Sequence, residues 1–414
     1  MSEYIPFLNT DTDVRILNRY YSECETVRLP YEKVDKLINK IPSNVKMWLD
    51  PCVDGYHYRI TTKWPKEPYE EWTDYYKALW DKLEDLFGKH SNYGILGDPK
   101  EWKKNNEMDL EFFIASLLDK CAQYKPHWIS VPQLPLVDSK GRNKINKMLS
   151  DATGKWKKNA RWDGQLVLPV ILTNQNQTKT PSVQKEKIST IFDCFELSKA
   201  HLLWITDISL GDQQRNTKYL KRYENLIEFH EKIRKRFGAG IRVIAGPYWG
   251  INLVLWAKSL CDNLGVSLSG SYTYNISCFV PPSASVSRIV LPPLKRLVTV
   301  TANNILEQWL ASVLKKLSIN DVAYFEFQKI LDNLPKLIDR KISVDQVAKF
   351  YKSWLSLLES VPKAGRKFAL YQDLSSSYVI GSQLPDLPSE LVPNASTQIR
   401  KAGKVAEQLM LNCL

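Results

Sequence analysis

The sequence predicts a closed, TIM-like (β/α) barrel, and two observations support that fold class. Six apolar runs of strand length, with a weaker seventh, alternate with long segments of helical period between residues 45 and 293. The runs are apolar along their whole length, which is typical of parallel strands buried on both faces. Six or seven such units fit a barrel better than an open, doubly wound sheet, which remains the alternative.

The predicted strands follow one another at regular intervals. They are VKMWLDP (45–51), HWISVPQLP (127–135), QLVLPVILT (165–173), HLLWITDIS (201–209), IRVIAGP (241–247) and VSLSGSYTY (266–274), with SRIVLPP (287–293) as the weaker seventh. The segments between them are mostly amphipathic, with apolar residues three and four positions apart. The turn after the first strand, DPCVDGYH, lacks the glycine-rich phosphate loop of a doubly wound sheet.

The same pattern divides the chain into three parts. Residues 1–43 are interpreted as an N-terminal extension, 44–300 as the barrel domain and 301–414 as an all-helical C-terminal region. Residues 58–108 are too long for a barrel loop, so we expect an inserted helical segment over the barrel mouth, with a helix near 70–88. The C-terminal region would complete the barrel wall, form a small bundle or present a surface to a protein partner.

Composition restricts the classes of partner and compartment. The net charge of +12 favours an anionic partner, most commonly nucleic acid, although many basic proteins bind no polyanion. No apolar run approaches the roughly 18 residues of a membrane span, and the N-terminus lacks a secretion signal, so we expect a cytoplasmic protein without membrane contact. The seven cysteines form no C-x-x-C pair and are expected to be reduced.

Two aspartates are the candidate catalytic residues. Asp50 and Asp207 each follow an apolar strand, and in parallel barrels the chemistry lies at the carboxyl ends of the strands. Two carboxylates at one barrel mouth can carry out acid–base catalysis or hold the edge of a base. The alternative is that each aspartate caps the turn that follows it. Cys52 and His57 lie nearby, but their spacing alone does not indicate a nucleophile and its base.

Other polar and aromatic residues near the strand ends are candidate substrate-binding groups. They are Gln133, Asn174, Gly246, Tyr248, Trp249 and Ser271. The five histidines form neither an H-x-H nor an H-E-x-x-H pattern, so we expect no metal site. No P-loop, G-x-S-x-G elbow or kinase motif is present, and no cofactor is expected.

A basic stretch is the candidate nucleic-acid interface. Residues 140–161 carry eight cations against one acid, Asp151, with a tryptophan interleaved. Cations that meet phosphates beside aromatic rings that stack on bases are typical of single-stranded nucleic-acid binding. The predicted contacts are Lys155, Trp156, Lys157, Lys158 and Arg161. The alternative is a solvated helix face that binds no ligand.

The segment IRVIAGPYWGINLVLWAKSLCDNLGVSLSGSYTYN (241–275) resembles the late barrel units of tRNA-guanine transglycosylases and their DNA-modifying deazaguanine relatives. Gly246 matches a glycine that ends a strand in that family. WLDPCVDG is similar to the family's Asp-Ser-Gly-Gly turn, and Asp50 matches the aspartate that serves the base site. The sequence departs from the family at 269–272, where Ser-Gly-Ser-Tyr replaces the nucleophilic aspartate, and the cysteine zinc motif is absent.

The resemblance covers about residues 44–300 and implies a barrel with a purine-like pocket. It favours an enzyme that acts on a nucleobase or nucleoside within nucleic acid, by glycosyl transfer or hydrolysis. The absent nucleophile argues against ordinary transglycosylation, because the covalent step needs that carboxylate. The alternative is a non-catalytic component that binds nucleic acid or a protein partner in a bacterial or phage genome-modification or defence assembly.

Overall fold

A computed structural model of the chain contains the predicted barrel. It describes residues 4–53, 106–136, 140–172, 181–208, 210, 218–268, 274, 287–300, 303–393 and 395–414. Eight parallel strands close in chain order. They are β1 (Tyr4–Phe7), β2 (Thr26–Pro30), β3 (Lys46–Asp50), β4 (Trp128–Ser130), β5 (Gln165–Leu172), β6 (Leu202–Asp207), β7 (Arg242–Ala245) and β8 (Asn263–Ser267). The predicted fold class is therefore confirmed.

The strand register is that of a TIM barrel. Phe7 on β1 pairs with Arg28, which pairs in turn with Trp48 on β3. Following the paired residues once around the barrel from Phe7 leads back to a level on β1 eight residues earlier. This stagger of eight is the shear of eight-stranded (β/α) barrels, and it tilts the strands enough for side chains to fill the interior.

Helices follow the strands on the outside of the barrel. They are α1 (Asp11–Tyr20), α2 (Val34–Leu37), α3 (Asn106–Ala122), α4 (Lys140–Asn159), α5 (Pro181–Ser198), α6 (Lys218–Phe237) and α7 (Ile251–Ala257). Helix α1 begins with a capping box, in which the side chains of Thr10 and Asp13 each accept a hydrogen bond from the other's backbone N–H.

The structure corrects the N-terminal boundary of the barrel. Strands β1 and β2 both lie within residues 1–43, so this part of the chain is not an extension but supplies two of the eight barrel strands. Each strand escapes the apolar pattern for a simple reason. Strand β1 has four residues, and the five-residue β2 carries Arg28 at its centre, which interrupts the apolar run.

The C-terminal boundary also differs from the prediction. The weak seventh run forms β9 (Ser287–Leu291), which pairs with β10 (Arg296–Val300) in an antiparallel hairpin outside the barrel. A 3-10 turn over Pro292–Leu294 and the left-handed Lys295, with φ of 51°, join the two strands. The predicted insertion 58–108 lies outside the described residues except where α3 begins.

The C-terminal region after the hairpin is helical, as predicted. Its helices are α8 (Asn303–Leu314), α9 (Val322–Leu337), α10 (Arg340–Glu359), α11 (Lys363–Ser382), α12 (Thr397–Arg400) and α13 (Lys404–Cys413). Helices α10, α11 and α13 contribute to the hydrophobic core of the barrel, whereas α8 and α9 form a second core with the hairpin. None of the described helices is long and apolar enough to span a membrane.

Aromatic side chains fill the centre of the barrel. The ring of Trp48 lies 5.6 Å from that of Phe7 and 5.3 Å from that of Trp204, in edge-to-face geometry. The indole N–H of Trp48 donates to Ser130 Oγ at 2.9 Å, and that of Trp204 donates to the carbonyl of Gly246 at 2.7 Å. The interior is thus a packed core, and the mouth of the barrel lies above it at the carboxyl ends of the strands.

Candidate functional site

Asp50 points into the barrel at its carboxyl end. It is the last residue of β3 and lies two residues after Trp48, whose ring is in the barrel interior. Side chains two positions apart on a strand share a face, so Asp50 lies directly above Trp48. Its side chain is 5% exposed. A carboxylate this deeply buried needs partners for its charge and its lone pairs.

Arg28 is the main partner of Asp50. Its Nε and Nη2 both donate to Oδ2 of Asp50, at 2.9 and 2.5 Å. The backbone N–H of Cys52 donates to Oδ1 at 2.9 Å. Burial alone would lower the pKa of Arg28, but the adjacent carboxylate outweighs it and raises the pKa. Asp50 and Arg28 therefore form a buried pair of opposite charges.

Aromatic rings surround the guanidinium of Arg28. Its Cζ lies 5.0 Å from the ring centroid of Phe7 and 5.2 Å from the centroids of Trp204 and Tyr274. Nη2 also donates to the hydroxyl of Tyr274 at 3.3 Å. Tyr274 itself packs edge-to-face on Trp204 at 4.8 Å. The pair thus lies between flat apolar rings, with the Tyr274 hydroxyl beside it.

Cys52 adds a thiol and an unusual backbone to this cluster. Its Sγ lies 3.3 Å from Nη2 of Arg28 and donates to the backbone carbonyl of Asp50 at 3.4 Å. Its φ of 53° is left-handed, which costs a residue with a side chain about 1–2 kcal/mol. This turn brings the Cys52 N–H onto Oδ1 of Asp50. We name Arg28, Asp50, Cys52 and Tyr274 the mouth cluster.

Asp207 does not face the mouth cluster. It ends β6, three residues after Trp204, so its side chain leaves the strand on the face opposite to that ring. It is fully buried. Burial first, and then the charge of Asp207, raise the pKa of Tyr248, whose hydroxyl donates to the carbonyl of Ile205 at 3.4 Å. The structure therefore does not bring the two predicted catalytic carboxylates onto one face of the wall.

Gln133 fixes a loop and is fully engaged within the protein. Its Nε2 donates to the carbonyls of Pro132 and Asn146, at 2.7 and 3.1 Å, and to Ser150 Oγ at 2.9 Å. These bonds tie the segment after β4 to α4. Gly246 has a φ of 101°, and a Cβ there would lie 3.1 Å from the carbonyl oxygen of Gly265. It serves close strand packing and the bond from Trp204.

Trp249 anchors the C-terminal helices. It is 2% exposed, its ring stacks on Phe350 of α10 at 6.0 Å and its indole N–H donates to the carbonyl of Lys295 at 2.8 Å. The hydroxyl of Tyr351, on the same helix, donates to Oδ1 of Asn252 at 2.6 Å. Tyr248 and Trp249, the two aromatic residues of the GPYWG segment, are both buried where the barrel meets the helical region.

The basic stretch runs along the outside of the barrel, and its predicted contact residues lie at the end opposite to the mouth cluster. Helix α4 starts at the carboxyl end of β4 and finishes before the amino end of β5. Lys155 forms ion pairs with Glu111 and Asp151, at 2.5 and 2.9 Å. Lys158 and Arg161 are exposed. Of the predicted cations, these last two are the ones left for a ligand.

Trp156 and Lys157 are structural. Trp156 is 6% exposed and its indole N–H donates to Asp119 Oδ1 at 2.8 Å, so the ring is not available to stack on a base. Lys157 donates to the carbonyls of Trp162 and Gly164, at 2.7 and 2.9 Å. The predicted role of Trp156 in base stacking is therefore corrected, because this residue lies on the inner side of its helix.

Three of the remaining candidates lie outside the described residues, namely His57, Asn174 and Ser271. Among those described, Arg28 and Tyr274 belong to the mouth cluster but were not among the sequence candidates. Arg28 could have been noticed as a single charge within the short apolar run TVRLP. Groups of three or more metal-ligating side chains do not occur in the part of the chain that the structure describes. Comparison of the chain with models of known protein families and with curated proteins finds no match.

Proposed function

We propose that the mouth of the barrel binds the planar, uncharged ring of a nucleobase or nucleoside, and that the protein acts on it by glycosyl transfer or hydrolysis. The observation that supports this most directly is the mouth cluster. It combines an inward-facing carboxylate with flat aromatic rings at the carboxyl end of the strands, which is where (β/α) barrels carry their chemistry.

The charge balance of the cluster favours a neutral ligand. Arg28 and Asp50 compensate each other, so the cluster carries no net charge towards an incoming group. In a poorly solvated site an additional phosphate or carboxylate would remain uncompensated, which is costly. A neutral heterocycle with ring N–H groups meets no such penalty.

The hydrogen bonds of Asp50 leave room for one more donor. An ionised carboxylate has about four acceptor positions, and Asp50 accepts three hydrogen bonds from Arg28 and Cys52. The remaining position on Oδ1 suits an N–H of a purine-like ring. The ring of Tyr274 lies beside this pair, 5.2 Å from the Arg28 guanidinium, and is the ring against which we propose that the base packs.

This arrangement also assigns a role to Asp50. Because both of its oxygens already accept hydrogen bonds, from the Arg28 guanidinium and the Cys52 N–H, Asp50 serves as an acceptor that orients and polarises the base rather than as a general acid. Proton transfer to the leaving group then requires a second residue. Asp207 does not fill that role, since it leaves β6 on the other face. Asn174 and Ser271, which follow two other predicted strands in the sequence, are hydrogen-bonding groups that would bind the base rather than supply that proton.

Calorimetric titration with nucleobases, nucleosides and the corresponding monophosphates tests the proposal. We expect nucleosides to bind and Tyr274→Phe, which removes only the hydroxyl, to weaken binding about tenfold, or roughly 1.4 kcal/mol. Tyr351→Phe removes a buried hydroxyl that bonds Asn252 away from the mouth, and should leave affinity unchanged. Binding that is insensitive to Tyr274→Phe, or no binding of any base or nucleoside, would contradict the proposal.

A non-catalytic binding component is the second candidate function. The observation that favours it is that Asp50 and Asp207 lie on different faces of the wall, so the mouth lacks the carboxylate pair expected from the sequence. Incubation of the protein with nucleosides and oligonucleotides, followed by chromatography for released bases, separates the two. Binding without release of a base supports the non-catalytic function.

A further inference from the structure

Exposed cations surround the end of the barrel opposite to the mouth. We call this surface the basal face and define it by Lys46, Lys125, Lys158, Arg161, Lys199 and Arg242. Lys46 opens β3 and Arg242 opens β7, while the others lie at the ends of α3, α4 and α5 or in the loops that lead into β4, β5 and β6. All six side chains are exposed.

These cations are not neutralised within the protein. None of the six forms an ion pair with another described residue. In the segments 123–127, 158–164 and 196–201, which carry four of the six, the acids are Asp163 and Glu196. The basal face is therefore a surface of net positive charge that extends over at least five neighbouring strands.

The pKa values of two histidines respond to nearby cations. His127 and His201 immediately precede β4 and β6. The pKa of His127 is lowered by partial burial and then by the charges of Lys46 and Arg242, against the opposing effect of Asp163. The pKa of His201 is lowered by burial and by the charge of Lys157. Both rings are thus neutral near pH 7, in a region where cations dominate.

The backbone gives an independent indication that lysine is used here for its side chain. Lys125 and Lys199 end α3 and α5 with φ of 50° and 58°, the left-handed conformation in which glycine is usual. Lysine there costs about 1 kcal/mol or more relative to glycine. A lysine one turn earlier would interact with the helix dipole equally well without that cost.

The surface chemistry favours nucleic acid over a membrane as the polyanion. Membrane-binding surfaces combine cations with exposed Trp, Phe or Leu. Near the basal face, Trp128 and Trp156 are buried. Leu197, two residues before Lys199, is a large apolar side chain that is exposed, at 37%. Arg242 stacks on Trp128 at 5.3 Å across the floor of the barrel, which leaves a polar, cationic surface.

We propose that the basal face binds the phosphate backbone of nucleic acid, without base recognition, at a site separate from the barrel mouth. Strand β5 has eight residues, so the two ends of the barrel are on the order of 20 Å apart at about 3.3 Å per residue and the tilt of a barrel. The stretch of backbone held at the basal face therefore cannot present its own base to the mouth. This inference does not depend on the function proposed for the mouth.

Fluorescence anisotropy with a short labelled DNA duplex tests the site. Four to six phosphate contacts predict a log–log slope of roughly −3.6 to −5.4 against salt, and hence an affinity loss of about 10²–10³-fold between 50 and 200 mM. Reversal of Lys125, Lys158, Arg161 and Lys199 to Glu should reduce the slope by about 3 to 4. Duplexes of different sequence should be affected equally, because phosphate contacts carry no base information.

A control variant separates the site from net charge. Reversal of Lys315, Lys316, Lys329 and Lys336, which are exposed in the C-terminal region, in α9 and in the turn after α8, changes the net charge by the same amount and should leave the slope nearly unchanged. Equal weakening by both variants, or no duplex binding by the wild type at 50 mM salt, overturns the proposal. Binding to phosphatidylserine vesicles in place of the duplex, lost in the basal variant, overturns it as well. The four reversed residues lie outside the mouth cluster, so the basal variant should keep nucleoside binding at the mouth, and the mouth and the basal face are tested independently.

Discussion

The buried pair in the mouth cluster predicts that Asp50→Asn strongly destabilises the fold. Arg28 is completely buried and Asp50 is the carboxylate that compensates it. Loss of one partner of such a pair leaves an uncompensated charge and typically costs about 3–5 kcal/mol. Because domains are stable by only about 5–15 kcal/mol, this is a large share of the free energy of unfolding.

A double-mutant cycle isolates the interaction. Arg28→Met should also destabilise, because Asp50 then keeps only the N–H of Cys52 as a donor. In the double variant neither charge remains, so its cost should be smaller than the sum of the single costs, with a coupling of about 2–3 kcal/mol. Asp345→Asn is the matched control. The Asp345 side chain, between α1 and α10, is 12% exposed, but its partners Arg15 and Arg19 are 31% and 60% exposed. Water therefore solvates both arginines when the carboxylate is removed, and the loss should cost about 1 kcal/mol.

Urea denaturation followed by tryptophan fluorescence measures all four variants and the wild type. The slope of the unfolding free energy with urea should stay the same, so that midpoint shifts report stability alone. If Asp50→Asn costs less than about 1 kcal/mol, the reasoning is refuted, because Asp50 would then be a solvated carboxylate. The calorimetric test of the mouth relies on Tyr274→Phe for this reason, since that variant keeps both charges.

Three further predictions concern other parts of the fold. Trp156→Ala should cost about 3–5 kcal/mol in urea denaturation without selective loss of single-strand binding, and a selective loss would contradict its structural role. Gly381→Ala should cost about 1–3 kcal/mol, because its Cβ would lie 2.4 Å from the Cα of Gly403, which precedes α13. Gly365→Ala in the same helix would place its Cβ 3.0 Å from a side-chain methyl of Val361, which can move, so it should be neutral or slightly stabilising; equal shifts in melting temperature would contradict this. Burial lowers the pKa of His230 to about 4, so stability should fall as pH decreases from about 6.5 towards 4, by up to about 3 kcal/mol; His230→Leu should remove that part of the slope.

The sequence predicted the strands that lie in long apolar runs and missed the short β1 and the interrupted β2. Strands β3 to β7 were recognisable because both of their faces are buried, which produces continuous apolar runs, whereas the predicted run 266–274 overlaps β8 only at its last two residues. Strand β2 carries Arg28 on its inner face. The burial of this charge is compensated by the carboxylate of Asp50, which lies 22 residues further along the chain. A local pattern contains no information on that partner, so the strand and the ion pair had to be missed together.

The difference between what a local pattern shows and what it does not also explains which candidate residues were interpreted correctly. Asp50 was found because its position at a strand end places it at the mouth in any parallel barrel. Trp156 was misassigned because the density of surrounding lysines outweighed its spacing. It continues the stripe Ile145, Leu149 and Ala152 at helical intervals, and these residues are buried on the inner side of α4. The spacing of apolar residues was therefore the better guide to its environment than the charges beside it.

The C-terminal helices cover the end of β7 at the mouth of the barrel. Helix α10 packs on Trp249, and the hydroxyl of Tyr351 bonds both the backbone of Tyr248 and the side chain of Asn252. The end of β7 is thus held under protein, although the GPYWG segment seemed suited to a flat ligand. The mouth cluster itself is also buried, with Asp50 at 4% and Tyr274 at 3% exposure. Tyr274 is the uncharged residue whose hydroxyl lies on the Arg28 guanidinium, at 3.3 Å, so Tyr274→Phe changes the cluster without removing either charge and is the most direct probe of the mouth.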